Sequence, residues 1–278
     1  MRKTAILIIV IVVAGSLTGA APGRAQSSKS FTDVPDRFRL EAGGFRIGAD
    51  TKLTLNRGGN VGTVDFESDL DLNENANRAY FEAFWRAGRR HLLSVAYQGL
   101  NREGGGVTLE RTINWGDQVF PVGITATGVA NSDYVSGVYR FAAYRNDRFE
   151  IGPALGFGYL WVEAGIDATT TVGGVTTRVS ESATSGNPTG NLGAYLYVWP
   201  ARRVLVRGDM RYILVKPENA EASIVEGKAA LLWHPWSRIA IGLQYTYTKF
   251  RYDRGILDTS LGGSLRFSGG QVVAGYVF

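Results

Sequence analysis

The chain contains no cysteine. Disulfides, thiolate metal sites and lipid attachment through an N-terminal cysteine are therefore excluded. Histidine occurs only at His91 and His234, which leaves little material for imidazole catalysis. After residue 14 no stretch reaches the roughly 18 consecutive apolar residues of a membrane-spanning helix. Nor is there a Lys/Arg-rich run of the kind that binds nucleic acid. The formal charge of +5 overstates basicity. Arg2, Lys3 and Arg24 supply three positives in the first 25 residues, with no acid among them, so the remainder stands at 5 − 3 = +2.

The first residues form a charged start, an apolar run from Ala5 to Ala14, and small residues before Gln26. That run is about half the ~20 residues a spanning helix needs, so residues 1–25 read as a secretory signal peptide. Residues 26–36 read as a lead-in. The remainder is rich in glycine (36 in the whole chain) and aromatics, with 13 Tyr, 13 Phe and 6 Trp. That composition favours an all-β exported protein over a soluble α/β enzyme.

Strand periodicity carries the fold reading. Between Ile239 and Thr248, Ile239, Ile241, Leu243, Tyr245 and Tyr247 share one face, and Ala240, Gly242, Gln244, Thr246 and Thr248 the other. The segment 149–161 sets Phe149, Ile151, Leu155, Phe157, Tyr159 and Trp161 against Glu150 and small residues. Segment 204–214 sets Val206, Met210 and Tyr212 against Arg207, Asp209 and Arg211, and segment 223–233 opposes Leu231 and Trp233 to Glu226 and Lys228. Four short turns (87–90, 145–148, 200–203 and 234–238) each follow an aromatic residue and carry an Arg near their end. Alternating lipid-facing and lumen-facing residues, an aromatic girdle and short turns on one side describe a closed antiparallel transmembrane β-barrel over 37–278. Four such turns imply about ten strands. An extra strand at 61–70, or a turn at 268–270, would change the count to eight or twelve. A change of phase at Gly43-Gly44 predicts a bulge in the first strand.

The chain ends on Gln271-Val-Val-Ala-Gly-Tyr-Val-Phe278, with Val272, Ala274, Tyr276 and Phe278 on one face. This resembles the C-terminal signature by which bacterial outer-membrane β-barrels are recognised for insertion. The segment 62–72 is similar to one near the start of some uncharacterised outer-membrane barrels. The resemblance implies residence in the outer membrane of a Gram-negative bacterium, Tyr276 and Phe278 as an assembly signal read by barrel-assembly machinery, and outer-membrane lipid and lipopolysaccharide as surroundings. It brings no cofactor.

Glu82, Glu150, Asp209 and Glu226 point inward in this register, as do Arg86, Arg140, Arg207, Arg211 and Lys228. Charges enclosed together must be paired, so Glu82, Arg86, Glu150, Arg207, Asp209, Arg211, Glu226 and Lys228 are expected to form a polar network in the lumen. The expected function is a non-enzymatic barrel, structural or a narrow channel for small solutes or ions. The alternatives are a ligand-binding barrel acting through its loops, or a lipid-modifying hydrolase. Enzymatic barrels such as omptin proteases and lipid A acyl-modifying enzymes use a His with Ser or Asp. His91 and His234 both fall beside the short turns, flanked by Arg or Trp. Asp69, Asp71 and Asn73 alternate like the start of a calcium loop, but the turn glycine and distal Glu are missing. The segment therefore reads as a solvated acidic loop, with no metal expected. Trp115 reads as an aromatic interface anchor.

Overall fold

The computed structural model describes residues 31–278 apart from 32–33, 35–36, 58–59, 73–74, 116–117, 173–174, 216–219 and 257–258. The expected signal peptide and all of the lead-in except Phe31 and Val34 lie outside the described residues. Ten long strands form the barrel: β1 (Phe38–Arg57), β2 (Asn75–Arg86), β3 (His91–Leu100), β4 (Thr125–Phe141), β5 (Phe149–Val172), β6 (Val175–Ala201), β7 (Val204–Val215), β8 (Ala220–Trp236), β9 (Ile239–Ile256) and β10 (Thr259–Val277). Each pairs antiparallel with its chain neighbours, and β10 returns to β1, so the sheet closes. Closure pairs both edges of every strand within the ring, the condition for crossing lipid with strands, and only the upper part of β6 pairs with β5 alone. Both ends meet on one side. The Phe278 N–H donates to the Phe38 carbonyl at 2.8 Å, and the two rings pack at 5.3 Å.

Prolines sit where the ladder does not need their missing N–H. Pro153 lies just below the first β4–β5 pair, Ala154↔Arg140, and Pro188 just beyond the last β6–β7 pair, Gly190↔Leu214. Pro200 and Pro235 fall in register shifts at the ends of β6 and β8. Those strands therefore run further into the expected turns than sequence suggested, and the connections shrink to residues 202–203 and 237–238.

The first strand carries no bulge. Its pairing with β10 keeps one register from Arg39↔Val277 to Arg57↔Thr259. The apparent change of phase has another cause. Among the described side chains the odd positions Glu41, Ala49, Thr51, Leu53 and Leu55 are all buried inside. At the lower level the inside is polar and the outside apolar. Above it the strand leaves the apolar belt and the pattern inverts, with Lys52 and Asp50 outside and Leu53 and Leu55 inside.

That inversion builds a second core. Leu53, Leu55, Val64, Phe66, Leu70, Leu72, Trp115, Phe120 and Ile166 are all buried together above the membrane level. They come from the upper strands and from the two long connections. The strand Asn60–Asp65 pairs back onto β1 rather than entering the ring. It leads into a short helix, Phe66–Leu70, capped by Asp65, whose side chain accepts from the Ser68 N–H at 3.2 Å. Asp71 ends the helix in the left-handed conformation, φ 47°. The small hairpin Ile113–Trp115/Gln118–Phe120 lies over it. Close approach fixes Gly62 there, since a Cβ would sit 1.6 Å from the Asn114 carbonyl oxygen. The Thr-, Ser- and Gly-rich stretch 166–188 extends β5 and β6 as a hairpin to Val172↔Val175.

Candidate functional site

The lumen is the chemically distinctive region. Towards the short-turn end Phe84, Leu92, Val138, Leu205, Leu232 and Val273 are buried together. Charge is interleaved with them, since Leu92 is the cross-strand partner of both Arg86 and Arg140. The Arg207 guanidinium donates twice to Glu41, at 2.9 and 2.8 Å, and to Gln244 at 2.9 Å. Arg39 adds a second cation to Glu41 at 2.9 Å. Arg140 donates to Asp209 at 2.9 Å, to Ser94 at 2.7 Å and to Glu82 at 3.5 Å. Glu82 also accepts from the Tyr80 hydroxyl. Glu226 takes Arg211 at 2.8 Å on one oxygen and Lys228 at 2.9 Å on the other. Arg86 forks onto Glu150 at 2.9 and 3.3 Å, joined there by Arg145 at 3.2 Å and the Tyr195 hydroxyl at 2.8 Å. The Phe84 ring lies 4.3 Å from the Arg39 guanidinium, 5.1 Å from Arg207 and 5.7 Å from Arg140, so its π-face favours three cations at once.

All eight expected lumen residues point inward and carry an ionic partner. The buried carboxylate most easily missed is Glu41. It stands beside Arg39 on a strand whose alternation is obscured by glycines, and its main partner, Arg207, is 166 positions away. Arg140 matters as much as any of the eight, because it alone among the described residues pairs with Asp209.

Above the ionic network lies the apolar cap. One buried ionic clasp ties it to the barrel. Arg102 reaches Thr51 Oγ1 and Glu67, each at 2.6 Å, and the Thr51 N–H donates to the other Glu67 oxygen at 2.7 Å. Trp115 is fully buried here, edge-on to Phe66 at 5.8 Å, and not at a membrane interface. The acidic segment around Asp69 and Asp71 is likewise not a solvated loop. Leu70 and Leu72 are buried, and Asp69 is held by Arg111, one contact being 2.9 Å. Burial pushes the Asp69 carboxyl up, but hydrogen bonds from Arg111 and from the Asp65 N–H outweigh it and hold the group below the ordinary carboxylate range. Between the ionic network and the cap, a cavity of about 40 Å³ is lined by Gln98, Tyr134, Ile213, Ile224, Glu226 and Phe267. That is room for about three waters.

The histidines stand apart from this machinery. His91 faces outward and its Nδ1 shares a hydrogen bond with the Tyr139 hydroxyl at 2.6 Å. His234 is fully buried against Trp199, ring centroids 5.4 Å apart, where sequence placed it in a turn.

On the outer wall Ile151, Leu155, Phe157, Leu192, Val206, Leu231, Leu243 and Val272 are exposed. Exposed apolar bulk around a charged interior is stable only in lipid. Tyr276 and Phe278 lie outward on the terminal strand, while Val277 between them is buried. Deleting Phe278 is expected to lower markedly the fraction of protein that migrates as a folded barrel when unheated. An unchanged folded fraction in cells would remove the assembly role of this residue.

No protein-family model matches the sequence, and no curated protein is similar to it in sequence. Among solved structures, the chain is similar to the outer-membrane protease OmpT from Escherichia coli, with a TM-score of 0.56 at 8% identity, covering 91% of this chain and 100% of that one. It also aligns with the translocator domain of the autotransporter NalP from Neisseria meningitidis, with a TM-score of 0.41 at 12% identity, over 100% of this chain and 96% of that one. At that identity the likeness to OmpT concerns the fold alone. The fold is that of the bacterial outer-membrane β-barrels: all-β, antiparallel, closed, with ten strands in the ring.

Proposed function

We propose that this protein is a sealed, non-catalytic outer-membrane barrel that acts through its external face and not through its lumen. The observation that supports this reading is a lumen occupied by ion-paired side chains with an apolar core in the mouth above them. Lumen charges tune selectivity only where a water path exists. Here each lumen carboxylate is engaged by a guanidinium or ammonium, and the mouth above is closed by an apolar core. The same pairing argues against carboxylate chemistry, which needs one carboxyl group kept protonated or free to act as a base. The cap is a packed platform instead. It presents Val61, Val119 and Val122 to solvent, each more than half exposed.

Planar-bilayer recording tests the proposal. The refolded protein should insert and remain silent. A stable conductance that changes with Arg207→Ala or Glu226→Ala would establish a channel and overturn the sealed reading. Dependence of lipid A mass on Glu82 or Glu226 would overturn the non-catalytic part.

A further inference from the structure

One sector of the outer wall is cationic just above the apolar belt. Lys249 on β9 and Arg266 on β10 are direct cross-strand partners, and Arg251 stands one outward position further up β9, opposite Ser264. Strand alternation turns all three outward, since Gln244, Thr246 and Phe267 on the same strands are buried inside. Like charges directly opposed on a sheet face repel. Asp50 is the cross-strand neighbour of Arg266 on β1, yet among the described residues no ion pair joins Lys249, Arg251 or Arg266 to a carboxylate. Below them the Arg266 guanidinium lies 5.5 Å from the Tyr247 ring. Lys249 is ten positions above Ile239 on one continuous strand. At a rise of ~3.3 Å per residue and a tilt of ~40°, that is about 25 Å, the usual height of the apolar band. The cluster therefore stands at the level of the external headgroups.

Directly beneath it the wall is hollowed. Gly44 on β1, Gly270 on β10 and Ala229 on β8 leave an open groove of about 630 Å³ around Tyr245, the cross-strand partner of both Gly270 and Ala229, walled by Leu231, Leu243 and Val272. Open space lies where Gly44 and Gly270 would carry a Cβ. The β4–β5 sector differs. It turns Asp133 and Glu163 outward, bonded to Tyr97 at 2.7 Å and Asn131 at 3.3 Å. Cations over an acyl-sized groove thus occur together on one sector.

We propose that the β8–β9–β10–β1 sector docks a phosphorylated, multiply acylated lipid of the external leaflet, with its phosphates on Lys249, Arg266 and Arg251 and one acyl chain in the groove below. Unpaired, mutually repelling cations are relieved by an anion between them, and a phosphate bound by guanidinium and ammonium gains charge-assisted hydrogen bonds. The assignment holds whether or not the lumen conducts.

Native mass spectrometry of the full barrel in detergent tests it, with three probes: lipid A bearing two phosphates, dephosphorylated lipid A, and phosphatidylglycerol. Lys249→Gln/Arg266→Gln is expected to weaken binding of the bisphosphorylated lipid by about 30-fold, the effect of two basic residues at an anionic lipid surface. Ala229→Trp, which fills the groove and leaves the cations in place, should weaken it too. Wild-type protein should bind the dephosphorylated lipid and phosphatidylglycerol more weakly, and its grip on the bisphosphorylated lipid should loosen as salt rises. Unchanged affinity in the double variant, equal affinity for phosphorylated and dephosphorylated lipid, or salt-independent binding would each overturn the proposal. The last two comparisons use wild-type protein, so they stand even if a variant fails to fold.

Discussion

Arg140→Ala is expected to destabilise the barrel by about 3–5 kcal/mol, the ordinary consequence of breaking a buried ion pair from one side. Arg140 is almost wholly enclosed and bridges β4 to Asp209 on β7, Glu82 on β2 and Ser94 on β3. Glu82 would keep its bond from Tyr80, and Ser94 is neutral. Asp209 would lose the one ionic partner it has among the described residues. The cost is therefore set by the stranded carboxylate more than by the lost contacts. A double change, Arg140→Met with Asp209→Leu, removes both charges at similar volume and should recover most of the loss. Urea unfolding in lipid vesicles, followed by tryptophan emission, measures both. A cost below about 1 kcal/mol for Arg140→Ala would mean that water reaches Asp209 easily. The sealed reading of the lumen would then fail together with this prediction.

Leu243→Arg should cost about 2–4 kcal/mol, the penalty for a cation on the lipid face near the bilayer midplane. Leu243 is 64% exposed on β9, halfway between Ile239 and Tyr247, with Val272 and Leu231 as cross-strand neighbours. Its burial is in lipid, so the contacts within the protein give no warning of the effect. Ser180→Arg is the matched control. Ser180 is also exposed but lies high on the β5–β6 hairpin opposite Asp167. There an added cation meets water and a carboxylate, and the change should stay within about 0.5 kcal/mol. Vesicle unfolding of the two variants separates the levels. Equal effects would show that the apolar belt does not reach Leu243 or extends past Ser180.

The two predictions also mark where sequence reasoning works. In β7, Val206, Met210 and Tyr212 outside against Arg207, Asp209 and Arg211 inside are legible because lipid and lumen impose opposite chemistry on adjacent residues. The rule holds only at membrane height. On β1, Leu53 and Leu55 face inward and Lys52 outward, the reverse of the lower pattern, and this looks like a slipped register when no height is known. Trp115, Leu70 and Leu72 fail for the same reason. In water above the membrane an aromatic residue is driven inward, where at the interface it would be held outward. Their apolar character was visible, but the level at which they act was not.

By itself the chain determined a closed antiparallel barrel with its ends on one side, about ten strands, and a set of charges enclosed in the lumen. Period-two alternation is a local property, and lipid makes it strict. Only the tertiary structure decided which charges meet, because Glu41 and Arg207 are brought together by closure of the ring and not by any feature of either strand. It alone placed Lys249, Arg266 and Arg251 over one groove, through the register of β9 against β10. It alone showed the mouth filled by an apolar cap, since the cap residues come from two distant connections that share no pattern until the barrel rim holds them against one another.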